Sequence, residues 1–481
     1  MRISCLRVLG GVAIGVLLAG CGGGGGGGAA PATGSDVVSR GVITGFGSVI
    51  VNGVRFDTNA AVFTVDDAPG GQDDLAVGDV VRIHGRVYAD GRTGTATEVI
   101  GEDAVEGPVT AIDVQAGTLV VAGQPVITDA ETSFDDNIPG GSLAGLVVGD
   151  FVEVAGFFDA VNAVRATRVE RKPAGSKVEV HGPVTELDTV NQRFRINALL
   201  VDYSTAILED FPGGQISPGD FVEVKGTMFV GGALLATKVE REVPGADDGD
   251  LDADREIEGL ITRFVSPADF DVAGRAVTTT SATTYENGSA ADLGVNLKVE
   301  VEGAFNSAGV LVARKVSIRR ASNVRVTALV DSVDSAAGTL VVLGITVNVD
   351  AMTRLEDKSD ADLHSFSLAN LSVGDYVEVR GAEFPVASGR LLARRLERED
   401  VESRSIVQGP VTAVESPALE VFGVTVQTGS STEFEGRTDN SLSPAEFFAM
   451  VAVGDLVKAR GSVIADRVIQ AEEVEFESED D

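Results

Sequence analysis

The residues of this 481-residue chain best equipped for chemistry are its three histidines, its two cysteines and one dense run of aspartates. His84, His181 and His364 stand far apart, and neither a His-x-x-x-His nor a Cys-x-x-Cys spacing occurs, which leaves zinc without its usual ligands. His84 falls where sister segments carry Ala155, Lys225, Glu302, Arg380 and Arg460, which reads as a solvated strand position. His181 precedes a turn and His364 lies in a variable insert. No Gly-x-Ser-x-Gly elbow is present to activate a serine. Asp248-x-Asp250-x-Asp252 begins like a calcium loop, but its sixth position is Ala253 where glycine is needed and its twelfth is Gly259 where glutamate should bind. Asp248, Asp250, Asp252 and Asp254 are therefore weak calcium candidates at a junction. No catalytic residue and no other cofactor is expected, so the chain reads as a non-enzyme.

Composition narrows the partners. Seventy-three acidic residues against 38 basic ones give a formal charge of −35, which opposes binding to phosphate backbones. Five per cent aromatic residues and no Trp leave few platforms for stacking bases or sugars. Forty-four per cent hydrophobic residues is enough to bury cores, which excludes a wholly disordered acidic chain.

The cysteines have a different use. Arg2 and Arg7 precede an apolar stretch from Val8 to Ala19 that ends in Leu18-Ala19-Gly20-Cys21. This is a secretory signal, too short to span a bilayer. It resembles the signal of bacterial lipoproteins, and the resemblance implies lipidation of Cys21, cleavage before it, and anchoring in a membrane. Gly22 in place of Asp points to the outer membrane in that family. Residues 1–20 are then signal peptide, and 21–38 are the lipidated cysteine with a Gly-rich flexible tether. Cys5 leaves with the signal, so no thiol remains for a disulfide or a nucleophile.

The elements that follow come from a repeat. The phrase Val-Gly-Asp-x-Val-Glu-Val-x-Gly, or a relative, recurs at 77–85, 148–156, 218–226, 295–303, 373–381 and 453–461. Its first glycine becomes Asn296 in the fourth copy, and Asn is the best substitute for Gly at positive φ, so a tight left-handed turn is expected there. Each copy opens with Gly-Pro-Val-Thr or a variant and continues with two apolar runs joined by a glycine, as in 49–56. It closes on a strand such as 235–240. Asn-Gly between β-branched runs is a hairpin signal. Five short strands with an insert after the third match the order of an OB-like barrel, and an SH3-like barrel or small sandwich gives a similar string. The fold expected is all-β: six tandem five-stranded OB-like barrels at 39–103, 104–173, 176–243, 255–320, 322–400 and 401–478. The acidic linker at 244–254 is the place where the chain would divide into three units plus three.

One charge pattern predicts strand pairing. The fourth strand carries Glu153, Glu223, Glu300 and Glu378 in the middle copies, but Arg82 and Lys458 in the first and last. The fifth strand carries Arg168, Lys238, Lys315 and Arg395, then Glu98 and Glu473, so both signs reverse together. These residues are expected to face each other across an antiparallel hairpin, contributing roughly 0.2–1 kcal/mol per pair. A bulge is expected between Ala166 and Val169.

The recurring phrases, with Gly-Phe-Gly-Ser-Val-Ile-Val-Asn-Gly-Val-Arg-Phe at 45–56 the best example, resemble a bacterial domain family of unknown function found in tandem in secreted lipoproteins. That resemblance implies no activity. The expectation is a non-enzymatic cell-envelope lipoprotein that binds or scaffolds an unknown protein or envelope polymer. The alternative is a calcium-dependent adhesive or matrix module.

Overall fold

A computed structural model describes residues 34–242, 253–438 and 440–477. The signal peptide, Cys21 and most of the tether lie outside the described residues, as do Asp248, Asp250 and Asp252.

The second repeat shows how the sequence closes a barrel. Its strands are Val105–Asp113, Thr118–Val121, Gln124–Ile127, Phe151–Phe158 and Val164–Lys172. The first three form an antiparallel meander, the third pairs parallel with the fifth, the fifth pairs antiparallel with the fourth, and the fourth returns to the first. The ring order 1-2-3-5-4-1 is that of an OB-like barrel. The other five repeats close in the same way. The insert after the third strand holds a short strand on the fifth and, in most copies, a 3-10 turn, replaced in the sixth by the helix Pro444–Met450. Alternate residues such as Val105, Val109, Leu119, Val121, Val126, Val152, Val154, Val164 and Val169 fill the interior.

Two recurring phrases do the bending. At the Thr of Gly-Pro-Val-Thr the first strand slips register, between Val109 and Ala111 in the second copy, and so serves the fourth strand before the slip and the second strand after it. The Val-Gly-Asp turn clamps that slip: Gly149 N donates to Val109 O (2.9 Å) and Val109 N to Asp150 O (2.8 Å). Gly149 has φ 99°, and Asn296 takes the same region with φ 65° in the fourth copy. The Asp150 carboxylate accepts from Val147 N (2.9 Å), so this aspartate is a turn-former.

The barrels dock in pairs that the linker does not respect. The first strand's early half bonds its own fourth strand on one side only, which leaves an open edge. Each such edge is covered by the equivalent edge of another barrel. Residues 37–40 of the first barrel run parallel to 254–257 of the fourth. Glu106 and Val105 of the second meet Glu179 and Val180 of the third, and 325–327 of the fifth meet 406–408 of the sixth. The expected three-plus-three division is therefore corrected: the first and fourth barrels share one sheet across the acidic linker. Val42, Val80, Ala155, Phe157 and Leu260 form a core between the first, second and fourth barrels. Arg354 of the fifth barrel donates to Glu131 O and Thr167 O of the second, joining the pairs.

Candidate functional site

A cluster of buried charge lies where the first, second and third barrels meet, around a cleft of 670 Å³ that Thr262, Ala273 and Gly274 of the fourth barrel also line. It arises from one register position. The residue before the Gly of Gly-Pro-Val-Thr stands directly opposite the charged residue of the fourth strand: Arg40 opposite Arg82, Glu106 opposite Glu153, His181 opposite Glu223. Like charges so placed need partners from elsewhere. Glu102 serves both arginines, at 2.6 Å from Arg40 Nε and 3.2 Å from Arg82 Nε.

The first barrel contributes a hairpin, Val62–Val65 with Ala68–Gly70, whose turn residues Asp66 and Asp67 both have positive φ. Its tip reaches lysines of the other two barrels. Asp66 lies 3.8 Å from Lys172 Nζ and 3.5 Å from Lys177 Nζ, and Asp67 pairs with Lys225. Lys172 also holds Glu153 (2.9 Å). Burial nevertheless pushes Glu153 up to about 8 and Glu106 up to about 7, because two lysines serve more carboxylates than they neutralise.

His181 sits at the back of this cleft, buried among three glutamates. Its Nδ1 is 2.9 Å from Glu242 Oε2, and its Nε2 is 3.2 Å from Glu179 Oε1 and 4.0 Å from Glu223 Oε1. Burial opposes its charge, but Glu242 and Glu179 outweigh that and hold the imidazolium well above its ordinary value. Burial and Glu179 push Glu223 up to about 7 against His181 and Lys225. Glu179 stays well below the carboxylate range despite burial, held by His181, Lys177 and Lys225.

Sequence reasoning placed His181 before a turn and missed its surroundings. The available signal was Glu179-x-His181, which puts both side chains on one face of one strand. The other histidines differ. His84 is half-buried opposite Glu98, and His364 is exposed and stacks on Phe46 of the first barrel with centroids 4.3 Å apart.

The expected cross-strand pairs are present on one face but two residues out of register. Opposite Arg168 is Ala155, and Glu153 faces Glu170. Opposite Lys238 is Lys225, and Glu223 faces Glu240. Lys315 faces Glu302 and Glu300 faces Ser317; Arg395 faces Arg380 and Glu378 faces Glu397. In the end copies Glu98 faces His84 and Arg82 faces Ile100, while Glu473 faces Arg460 and Lys458 faces Glu475. The expected bulge recurs in all six copies at the Gly ending the long phrase and supplies one residue of that offset. In the second copy it is at Thr167, between Gly156↔Ala166 and Ala155↔Arg168. The intended partners become diagonal neighbours, 3.8 Å for Lys238 and Glu223 and 3.9 Å for Lys315 and Glu300. Arg168 is diverted to Asp79 of the first barrel (3.5 Å). Of the calcium candidates, Asp254 opens a strand and is bound by Arg314 Nη1 (2.7 Å).

Six segments, 37–100, 106–170, 181–240, 258–317, 327–397 and 408–475, match the family described as "Domain of unknown function (DUF5666)". No curated protein matches the chain. Among solved structures, a chain titled "drosophila Unr CSD456" aligns at 14% identity over 46% of this chain and 98% of that one, with a TM-score of 0.12.

Proposed function

The chain belongs to the DUF5666 family, in six tandem copies, and from that premise we propose that it is a non-enzymatic, membrane-anchored lipoprotein of the outer membrane whose barrels act as one binding or scaffolding body. The observation that carries the scaffolding half is how the barrels use their own loops. OB-type barrels take oligomeric ligands on the face of the second and third strands and the adjoining loops. Here the turns between those strands support neighbouring barrels. Ala198 N of the third barrel donates to Gly123 O of the second, Arg467 of the sixth donates to Gly344 O of the fifth (2.6 Å), and Gly53 lies beside Met352. What is left facing outward includes the Val-Gly-Asp turns of the second, fifth and sixth barrels, with Val148, Val373 and Val453 exposed, while those at Val77 and Asn296 touch the second barrel. The anchoring half rests on Leu18-Ala19-Gly20-Cys21 and the glycines after it.

Growth with labelled palmitate tests the anchor. The full chain is expected to take up label and sediment with outer membrane, and Cys21→Ser to do neither; a Cys21→Ser variant that stays in the membrane overturns the anchoring. Cross-linking in intact cells tests the scaffold. Envelope partners recovered in amounts comparable to the chain support it, and a chain linked to nothing but itself counts against it.

A further inference from the structure

We propose that Glu179, His181 and Glu223 form a binding site for a divalent ion of the zinc class, with Glu242 as the carboxylate that orients the histidine. Nothing in the lipoprotein reading requires this site, so each stands or falls alone.

The argument starts from the strand pairing. His181 and Glu223 are directly opposed on adjacent antiparallel strands, and Glu179 is two residues from His181 on the same face. One ligand atom from each lies within 4.8 Å of the others, all three residues are buried, and all three line the 670 Å³ cleft. Two ligands bound at about 2.0 Å to a tetrahedral zinc stand about 3.3 Å apart. The Nε2 separations of 3.2 and 4.0 Å from Glu179 Oε1 and Glu223 Oε1 are close to that. The cleft leaves the fourth position to water.

The partners of the ligands are those of a metal site. Histidine ligands commonly give their second ring N–H to a carboxylate, which sets the tautomer and ring direction. Glu242 Oε2, 2.9 Å from Nδ1, holds that place and leaves Nε2 aimed at the two glutamates. Lys177 Nζ binds the other oxygen of Glu179 (2.9 Å), turning Oε1 toward the histidine. Lys225 Nζ lies 2.9 Å from Glu223 Oε1 and 3.6 Å from Glu179 Oε2, and Glu102 with Arg40 and Arg82 completes the charged surroundings. The ion takes the place of the Nε2 proton, which leaves to solvent. An imidazole with two carboxylates suits zinc or cobalt better than calcium, which takes oxygen ligands alone.

The neighbouring group of Asp66, Glu106 and Glu153 carries no such assignment. It has no nitrogen ligand, and an ion of the zinc class favours an imidazole beside its carboxylates.

The purified full chain, stripped with chelator, is titrated at neutral pH with cobalt(II) as spectroscopic probe, then with zinc, with calcium in parallel. Saturable uptake with visible cobalt bands that zinc bleaches is expected, and calcium is expected not to compete. His181→Ala should weaken binding about 100-fold or more and Glu242→Gln about 10–100-fold, while His84→Ala leaves it unchanged. Removing His181 leaves three carboxylates facing one another, so His181→Gln, whose amide still donates, is measured beside it with thermal unfolding to separate lost metal from lost fold. No saturable binding by folded wild-type protein overturns the site. So does binding that survives in either folded His181 variant, and calcium binding as tightly as zinc overturns the ion class.

Discussion

Asp357 and Glu256 are two carboxylates whose charge burial opposes alike, and their neighbours drive them in opposite directions. Burial opposes the Asp357 charge, but Arg398 and Ser359 donate to it and Leu363 N is a third donor, holding it down to about 2 from 3.8. A depressed carboxylate stabilises the fold above its unfolded value and loses that contribution as pH falls. Asp357→Asn is therefore expected to cost about 2 kcal/mol at neutral pH and progressively less between pH 4 and pH 2, measured by urea unfolding. Glu256 is pushed the other way, to about 8, by burial and by Glu300, with Glu302 adding to it and Ser39 and Lys315 opposing it. A raised carboxylate contributes most below its unfolded value and loses that contribution as pH rises through the folded one. The wild-type midpoint is expected to fall between pH 5 and pH 8 relative to Glu256→Gln, whose amide keeps an acceptor for the 2.8 Å bond from Ser39 Oγ. Parallel pH profiles for the two proteins would refute this.

Among the elements, the hairpin of the fourth and fifth strands depends on a bulge that only glycine accommodates. A Cβ on Gly303 would stand 2.2 Å from Val312 O, and the equivalent Gly381 and Gly461 would meet carbonyl oxygens at 2.1 Å. Gly303→Ala is expected to cost about 1–3 kcal/mol, read by thermal unfolding. The Val-Gly-Asp turn makes the converse test, because Asn296 already sits at positive φ. Asn296→Gly keeps the turn but loses the 3.0 Å bond that Asn296 Oδ1 accepts from Ala160 N of the second barrel. The alternation of apolar residues and the turn chemistry made both elements legible in advance. The bulge expected between Ala166 and Val169 is there, but the register of the hairpin was not legible, because a pairing displaced by two residues keeps every side chain on the same face.

For the molecule as a whole, the consequential fact is that neighbours in sequence are not always neighbours in space. The second and third barrels pair, as do the fifth and sixth, but the first pairs with the fourth. A protease site introduced into the linker at 244–252 is expected to be cut without separating the halves, since Val37–Arg40 and Asp254–Ile257 remain hydrogen-bonded strands of one sheet. Two fragments that part on gel filtration at neutral pH and moderate salt would show that the sheet between the first and fourth barrels does not hold them.

The sequence by itself determined the number of barrels, their strand order and the left-handed turns, because these are local. Two apolar runs around a glycine, a phrase ending in Gly and a constrained φ act within a few residues of where they are written. The proposal that Cys21 is lipidated rests on its motif alone. Tertiary structure alone decided which barrels dock, since the open edge of a first strand accepts any equivalent edge and nothing in one repeat names its partner. It alone built the charged junction as well. Arg40, Glu106 and His181 occupy one repeat position whose significance comes from the strand opposite and the barrel beside it. A buried charge is decided by its neighbours in space, and those are supplied by residues far away in the chain, as Ser39 is from Glu256 at 217 positions.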